Sequence, residues 1–261
     1  MKHSFFNRQD AAVTLLSAPE SISEAVGLAY AGEMEGADGI AVELCKMPLK
    51  ERTEENFRML IRSVQLPFMF IDYRNDSFLG ADDDARQKIL LLAARCGAEV
   101  IDVMGDLYDP SPFELTQDSA AIEKQKELIS RIHGFGSKVI MSSHMSNTER
   151  SAEEVLSHLQ EQSSRGADIL KIVVGMNTEK AMLEGVRTLL MLHKELDKPF
   201  VFLGSGKFGR FIRYIGLQLG SAMEFAVLDY PYPTNLAFDP PTVRSFKGVR
   251  DNFHWNIENL K

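Results

Sequence analysis

Residues 166–196 read GADILKIVVGMNTEKAMLEGVRTLLMLHKEL. The stretch leaves a glycine, passes a small residue and an acid, and enters the apolar run Ile169–Val174. Such a run has the composition of a strand buried on both faces. An amphipathic helical pattern follows over 178–196. A strand feeding a helix is the unit of parallel α/β architecture, and one residue interrupts it. Lys171 stands inside the apolar run, and a buried ammonium is costly unless it has a partner or a purpose.

The same passage repeats along the chain. AAVTLL (11–16) precedes SISEAVGLAYAGEMEG, whose Ser21 and Glu24 have capping-box spacing. GIAVEL (39–44) precedes TEENFRMLIRSV, and PFMFIDY (67–73) precedes DDARQKILLLAARCG. EVIDVMG (99–105) leads to SAAIEKQKELISRIHGFG, and KVIMSSH (138–144) leads to SAEEVLSHLQEQSSRG. After the opening unit, PFVFLGSG (199–206) leads to FGRFIRYIGLQLG, and MEFAVL (223–228) leads to a last helix around 242–258. About eight β–α units without linkers predict a closed (β/α)8 TIM barrel forming a single domain over 1–261. An open doubly wound sheet would leave the eighth unit over, and no GxGxxG follows the first strand.

Composition narrows the function classes. Of 261 residues, 44% are hydrophobic and 25% charged, which is ordinary globular usage. The net charge of −8 and the lack of a Lys/Arg cluster argue against a nucleic-acid partner. No stretch reaches the roughly 18 apolar residues of a membrane span, and the N-terminus lacks the pattern of a signal peptide. The two cysteines are Cys45, in a strand-like run, and Cys96, at a helix end. They predict a reduced, cytoplasmic protein without a disulfide framework. No HxxxH or CxxC spacing marks a metal site, and no cofactor motif is legible.

An internal echo locates the chemistry. GADGIAVEL (36–44), GAEVIDVMG (97–105) and GADILKIVV (166–174) each run from a glycine through an acid into a strand. Asp102 and Lys171 each lie five residues after their glycine, and Glu43 lies seven after Gly36. Strand side chains alternate with period two, so all three share a parity that faces the barrel interior. Function in such barrels sits at the C-terminal strand ends. The candidates there are Thr14, Glu43, Arg74, Asp102, Ser142, His144, Lys171, Ser205 and Arg213. A lysine in an apolar pocket loses its charge readily and can attack a carbonyl to form a Schiff base. His144 ends the strand before that of Lys171, where the two side chains can meet over one substrate carbon. Of the six histidines, the other five lie on helical patterns or near the termini and read as surface or packing residues. GSGKFG (204–209) is a Gly-rich turn suited to an anion, and Arg213 behind it can hold a carboxylate with two hydrogen bonds. DYPYPTN (229–235) reads as a lid or a plain connection.

These residues resemble the type I 3-dehydroquinate dehydratases. VIMSSHMSNTE (139–149) and RGADILKIVV (165–174) are similar to that family's S-x-H and GADI-x-K blocks. FLGSGKFGRFIRYIGLQLGSAMEF (202–225) is similar to its glycine- and arginine-bearing block, and ADGIAVEL to the strand whose glutamate faces substrate. The resemblance implies a (β/α)8 barrel that dehydrates 3-dehydroquinate to 3-dehydroshikimate through a lysine imine, without metal or cofactor. Its implied substrate is a carboxylated cyclic keto acid, and it implies a homodimer. Lys171 would form the imine and His144 serve as general acid and base. Arg213 would clamp the carboxylate, and Glu43 and Arg74 would hold ring hydroxyls. Thr14 stands where the family has a small hydroxyl residue. Several positions depart from the pattern. The family's arginine after the strand-2 glutamate is Cys45 here. Its histidine-orienting acid falls on Phe78, leaving Asp72 or Asp102 for that task. Its seventh-strand methionines are Leu203 and Ser205, and its closing S-A-P-G-Q loop reads PYPTN, with Asn235 resembling the glutamine. Two other readings fit the altered shell: a Schiff-base lyase or aldolase for another hydroxy-keto acid, and a metabolite-binding barrel without catalysis.

Overall fold

A computed structural model describes residues 3–6, 10–230 and 240–257. Among the described residues, eight parallel strands alternate with eight α-helices, in the order the apolar runs predict. The strands are β1 (Ala12–Ser17), β2 (Gly39–Glu43), β3 (Phe68–Ile71), β4 (Val100–Met104), β5 (Lys138–Met145), β6 (Ile169–Gly175), β7 (Phe200–Ser205) and β8 (Met223–Ala226). The helices are α1 (Ile22–Met34), α2 (Glu54–Ser63), α3 (Asp83–Cys96), α4 (Ser119–Gly134), α5 (Ala152–Ser164), α6 (Glu179–Glu195), α7 (Gly209–Gly216) and α8 (Val243–Phe253). Side-chain caps start most of them. Ser151 accepts from Glu154 N while Glu154 reaches back to the Ser151 N–H, a full capping box at α5. The capping-box spacing at Ser21 is used only in its forward half at α1, with Ser21 accepting from Glu24 N. β2 ends at Glu43, and Cys45 lies in a 3-10 turn (Leu44–Lys46) rather than in a strand, buried and unpaired like Cys96.

Period-two alternation divides the core. One face of each strand packs on the helices. The other forms a separate core inside the barrel that includes Ala41, Met69, Val100, Ile140, Ile169 and Val201. Phe5 belongs to this inner core and closes its lower end against Gly39, where a Cβ would fall 2.1 Å from the ring. The Phe5 N–H bonds Glu99 at 3.1 Å, anchoring that plug.

The strand order is β7-β6-β5-β4-β3-β2-β1-β8. Among the described residues no ladder joins β7 to β8, and only the Ala222 N–H bonds Phe200 O (2.8 Å) near the bottom of that seam. Higher up, the Ser205 carbonyl accepts from Met176 N on the β6 side (2.6 Å). Carbonyls alternate along a strand, so that of Gly204 turns toward β8. There the Arg213 Nε–H donates to it at 3.0 Å, replacing a missing strand partner. Gly204 and Gly209 make this possible: a Cβ on Gly204 would lie 2.9 Å from the Gly209 Cα. Their lack of side chains brings α7, and Arg213 with it, close to the sheet.

Candidate active site

β6 carries Lys171 on its inner face, between Ile169 below and Val173 above. The residue is 4% exposed. Burial draws the Lys171 pKa below the ordinary lysine value, against the attraction of Asp102 and Glu114. Its Nζ donates to Tyr73 Oη at 2.9 Å and meets His144 Nε2 at 2.9 Å, with Asp102 Oδ2 at 3.7 Å. The residue that breaks the apolar run therefore has three partners, each from a different strand or strand end.

β5 brings His144 to this point, one strand away from Lys171. The ring Nδ1 lies 2.9 Å from Glu114 Oε2, which also accepts from the His144 backbone N–H (2.7 Å). Burial pushes the Glu114 carboxyl up, but its hydrogen bonds and attraction to His144 outweigh that and leave it below the ordinary glutamate value. An ionised carboxylate only accepts, so Nδ1 carries a hydrogen and donates it to Glu114, which leaves Nε2 as the ring nitrogen aimed at Lys171. The imidazole is thereby oriented with Nε2 facing the amine.

Glu114 is the orienting acid, and sequence reasoning missed it. Asp72 and Asp102, the two expected alternatives, are engaged elsewhere. Asp72 binds Arg52 at 3.2 Å, and Asp102 accepts from Ser142 Oγ (2.5 Å) and Tyr73 Oη (2.9 Å). Glu114 comes from the loop after β4 with φ +47, a left-handed conformation that its surroundings must hold. Buried Arg165 does so by bonding Gly105 O at 3.0 Å and Thr116 O at 2.6 Å across that loop.

Tyr73 is the second missed residue. Met69 and Ile71 face the inner core, and the same alternation carried two residues past Ile71 puts Tyr73 inside. Its ring packs edge-on against His144, centroids 4.9 Å apart. Burial, reinforced by the charge of Asp102, raises the phenol pKa well above that of free tyrosine. Arg74, with the opposite parity, bonds Asp83 at the start of α3 (3.0 Å) and Asp106 (2.8 Å); it does not line the Lys171 cavity but lines an adjoining pocket with Tyr73, Glu114 and His144.

That cavity holds about 250 Å³. Lys171, His144, Tyr73, Glu43, Ser205 and Arg213 line it, with Leu16, Leu203, Phe225 and others supplying apolar walls. Glu43 accepts from Asn75 Nδ2 at 3.3 Å. Thr14 is sealed below the cavity, fully buried, while Leu16 takes the lining position two residues on. Asn235 and the rest of 231–239 lie outside the described residues. Burial lowers the Arg213 pKa while Glu224 opposes the shift, and the guanidinium remains cationic. A buried amine, an aimed imidazole and an arginine around one cavity can bind a carboxylate and hold a carbonyl for imine chemistry.

A family model for type I 3-dehydroquinase matches residues 31–243. The chain belongs to the type I 3-dehydroquinase family. Within it, the 3-dehydroquinate dehydratase of Klebsiella pneumoniae is 29% identical over 172 residues, covering 66% of this chain and 64% of that protein. The match thus spans slightly less than two thirds of that relative. Among solved structures, a type I 3-dehydroquinate dehydratase from Clostridium difficile, carrying covalently modified comenic acid, superposes with TM-score 0.79 at 19% identity, over 95% of this chain and 94% of that one. The 3-dehydroquinate dehydratase of Geobacillus kaustophilus gives 0.77 at 16% identity, over 93% and 91%. At such identities these structures establish the shared barrel fold.

Proposed function

We propose that this 3-dehydroquinase-family chain dehydrates 3-dehydroquinate to 3-dehydroshikimate through an imine on Lys171. The observation that carries the reading is the buried Lys171 Nζ, 2.9 Å from the Glu114-oriented His144, in a cavity also lined by Arg213. Arg213 holds the substrate carboxylate and presents the ring ketone to Lys171. The amine adds to the carbonyl carbon and water leaves, giving an iminium. His144 Nε2 takes a proton from the neighbouring carbon, and the C–H electron pair moves toward nitrogen as an enamine. That pair returns to expel the β-hydroxyl, which departs as water with the proton from His144. A second water hydrolyses the iminium, frees Lys171 and releases the enone. Glu43 and Ser205 bind ring hydroxyls at the rim. Every step uses this chain's own residues, one substrate and water.

Borohydride added during turnover should fix a reduced substrate adduct on Lys171, read by intact and peptide mass. Lys171→Ala should give no adduct and no enone absorbance. An enzyme that produces enone while Lys171 stays unmodified would end the proposal. One observation favours a second reading. Arg74 is engaged by Asp83 and Asp106, and Cys45 replaces an arginine, so Arg213 is the sole guanidinium lining the cavity among the described residues. A hydroxy-keto acid with fewer ring hydroxyls, cleaved as a lyase or aldolase substrate, would suit such a wall. Aldol fragments in place of an enone would mark it. We also take the working form to be a homodimer, as the family resemblance implies, in the cytoplasm, as the two cysteines predict, and sedimentation equilibrium would test the dimer. No helix among the described residues is long and apolar enough to cross a membrane.

A further inference from the structure

We propose that Tyr73 is a catalytic residue that, with Asp102 behind it, relays protons between Lys171 and the substrate oxygen while the imine forms and breaks. The inference rests on the imine reading above and assigns a second acid–base pair to the same cavity. Tyr73 Oη accepts from Lys171 Nζ at 2.9 Å and donates to Asp102 Oδ2 at 2.9 Å. Asp102 Oδ1 is held by Ser142 Oγ at 2.5 Å, so the carboxylate cannot turn away. The edge-on packing of Tyr73 against the His144 ring leaves its hydroxyl little freedom to leave Nζ. His144 Nε2 lies 2.9 Å from the same nitrogen and is oriented by a different carboxylate, Glu114. Two acid–base pairs therefore contact one amine, and the overall reaction needs two kinds of proton transfer.

The balance of imine formation shows what the first pair does. An ammonium and a ketone become an N-protonated iminium and water. Two protons leave Nζ, two arrive on the departing oxygen, and the C=O double bond is replaced by a C=N double bond. Each proton passes from Nζ to the Tyr73 oxygen as the Tyr73 hydrogen moves to Asp102, and the reverse shift delivers it to the carbinolamine oxygen. The phenol is never left as a free phenolate, in keeping with burial and Asp102 holding its pKa high. After water leaves, Asp102 is again a carboxylate close to the iminium nitrogen, which its charge stabilises. His144 and Glu114 are then reserved for the C–H proton and the expelled hydroxyl. This separates the two jobs: His144 meets carbon, and Tyr73 meets nitrogen and its oxygen.

Tyr73→Phe removes the hydroxyl and keeps the ring. The rate at which a borohydride-trapped adduct appears on Lys171 should fall about 10²-fold, the usual worth of one positioned acid–base group. The primary isotope effect on turnover of substrate deuterated at the abstracted carbon should collapse toward one, because imine formation becomes the slow step. A merely structural tyrosine would change KM or Tm and leave that isotope effect intact. Asp102→Asn should reproduce both changes and carries the test if Tyr73→Phe loses its thermal transition. Glyoxylate with borohydride provides a substrate-independent arm, with exposed Lys138 as the internal reference lysine. If 3-dehydroquinate yields no adduct on the unaltered protein but glyoxylate does, the substrate reading fails and the relay is judged on glyoxylate alone. Unchanged trapping rates at Lys171 in either variant would overturn the relay.

Discussion

Lys171 illustrates how one side chain trades stability for reactivity. Its folded-state pKa lies below its unfolded value, so the unfolded chain binds more protons between the two. The burial penalty is full below the folded pKa and disappears as pH rises toward the unfolded value near 10.5. The unaltered protein should therefore gain stability relative to Lys171→Met as pH climbs through that window, measured by urea midpoints. Glu114 behaves in the opposite sense. Its depressed pKa gives stability that is present above the unfolded value of 4.5 and lost as pH falls through the folded one. Glu114→Gln should lower kcat about 10²-fold with little change in KM, since it removes the group that fixes the imidazole and touches no substrate. At this scale the sequence was half legible. Lys171 and His144 stand out because a charged or imidazole group in an apolar strand contradicts its surroundings. Arg74 entered as a strand-end residue and took its hydroxyl-binding role from the family resemblance, whereas the period-two count from Met69 through Ile71 selects Tyr73. Glu114 left no such trace, because loops have no period to read.

Elements hold these residues through contacts that patterning cannot reveal. From α5, Gln162 bonds the Lys171 carbonyl and N–H, each at 3.1 Å, and the Ser143 hydroxyl at 3.1 Å. One turn earlier, His158 Nε2 meets the same hydroxyl at 2.8 Å. Burial, with the nearby Arg150 and Arg165 charges, lowers His158 to about 4. A neutral folded histidine must gain a proton to unfold in acid, so its stabilisation is present above 6.5 and lost as pH falls toward about 4. The total loss is on the order of 3 kcal/mol. His158→Gln should flatten the stability curve across that interval in chemical denaturation. The loop after β4 is equally dependent on one position. A Cβ on Gly105 would lie 2.4 Å from the Glu114 carbonyl oxygen. Gly105→Ala should displace Glu114 and reduce kcat while the thermal transition survives. The strands and helices themselves were legible from end to end, since apolar runs and amphipathic stretches alternate without ambiguity. The boundary at Cys45 was not, because Leu44 prolongs the apolar run after the backbone has already turned.

For the molecule as a whole, the eight-unit count predicted the barrel and the inner face predicted its mouth. The plug at the other end had no signal, as Phe5 lies outside any periodic segment. Phe5→Ala should cost about 3–5 kcal/mol by opening the lower core, yet leave kcat near its original value because the cavity is at the opposite end. If 1–261 is one domain, calorimetry should show a single transition, lowered but not split by that substitution. The unladdered seam between β7 and β8 has a mechanical consequence. Arg213 is the rivet of an incomplete ring and, on the proposed function, also the grip for an incoming anion, which would link occupancy to closure thermodynamically. A bound carboxylate should draw the two edges together, and hydrogen exchange at the amides flanking Gly204 and Phe225 should slow more than anywhere else on the hoop.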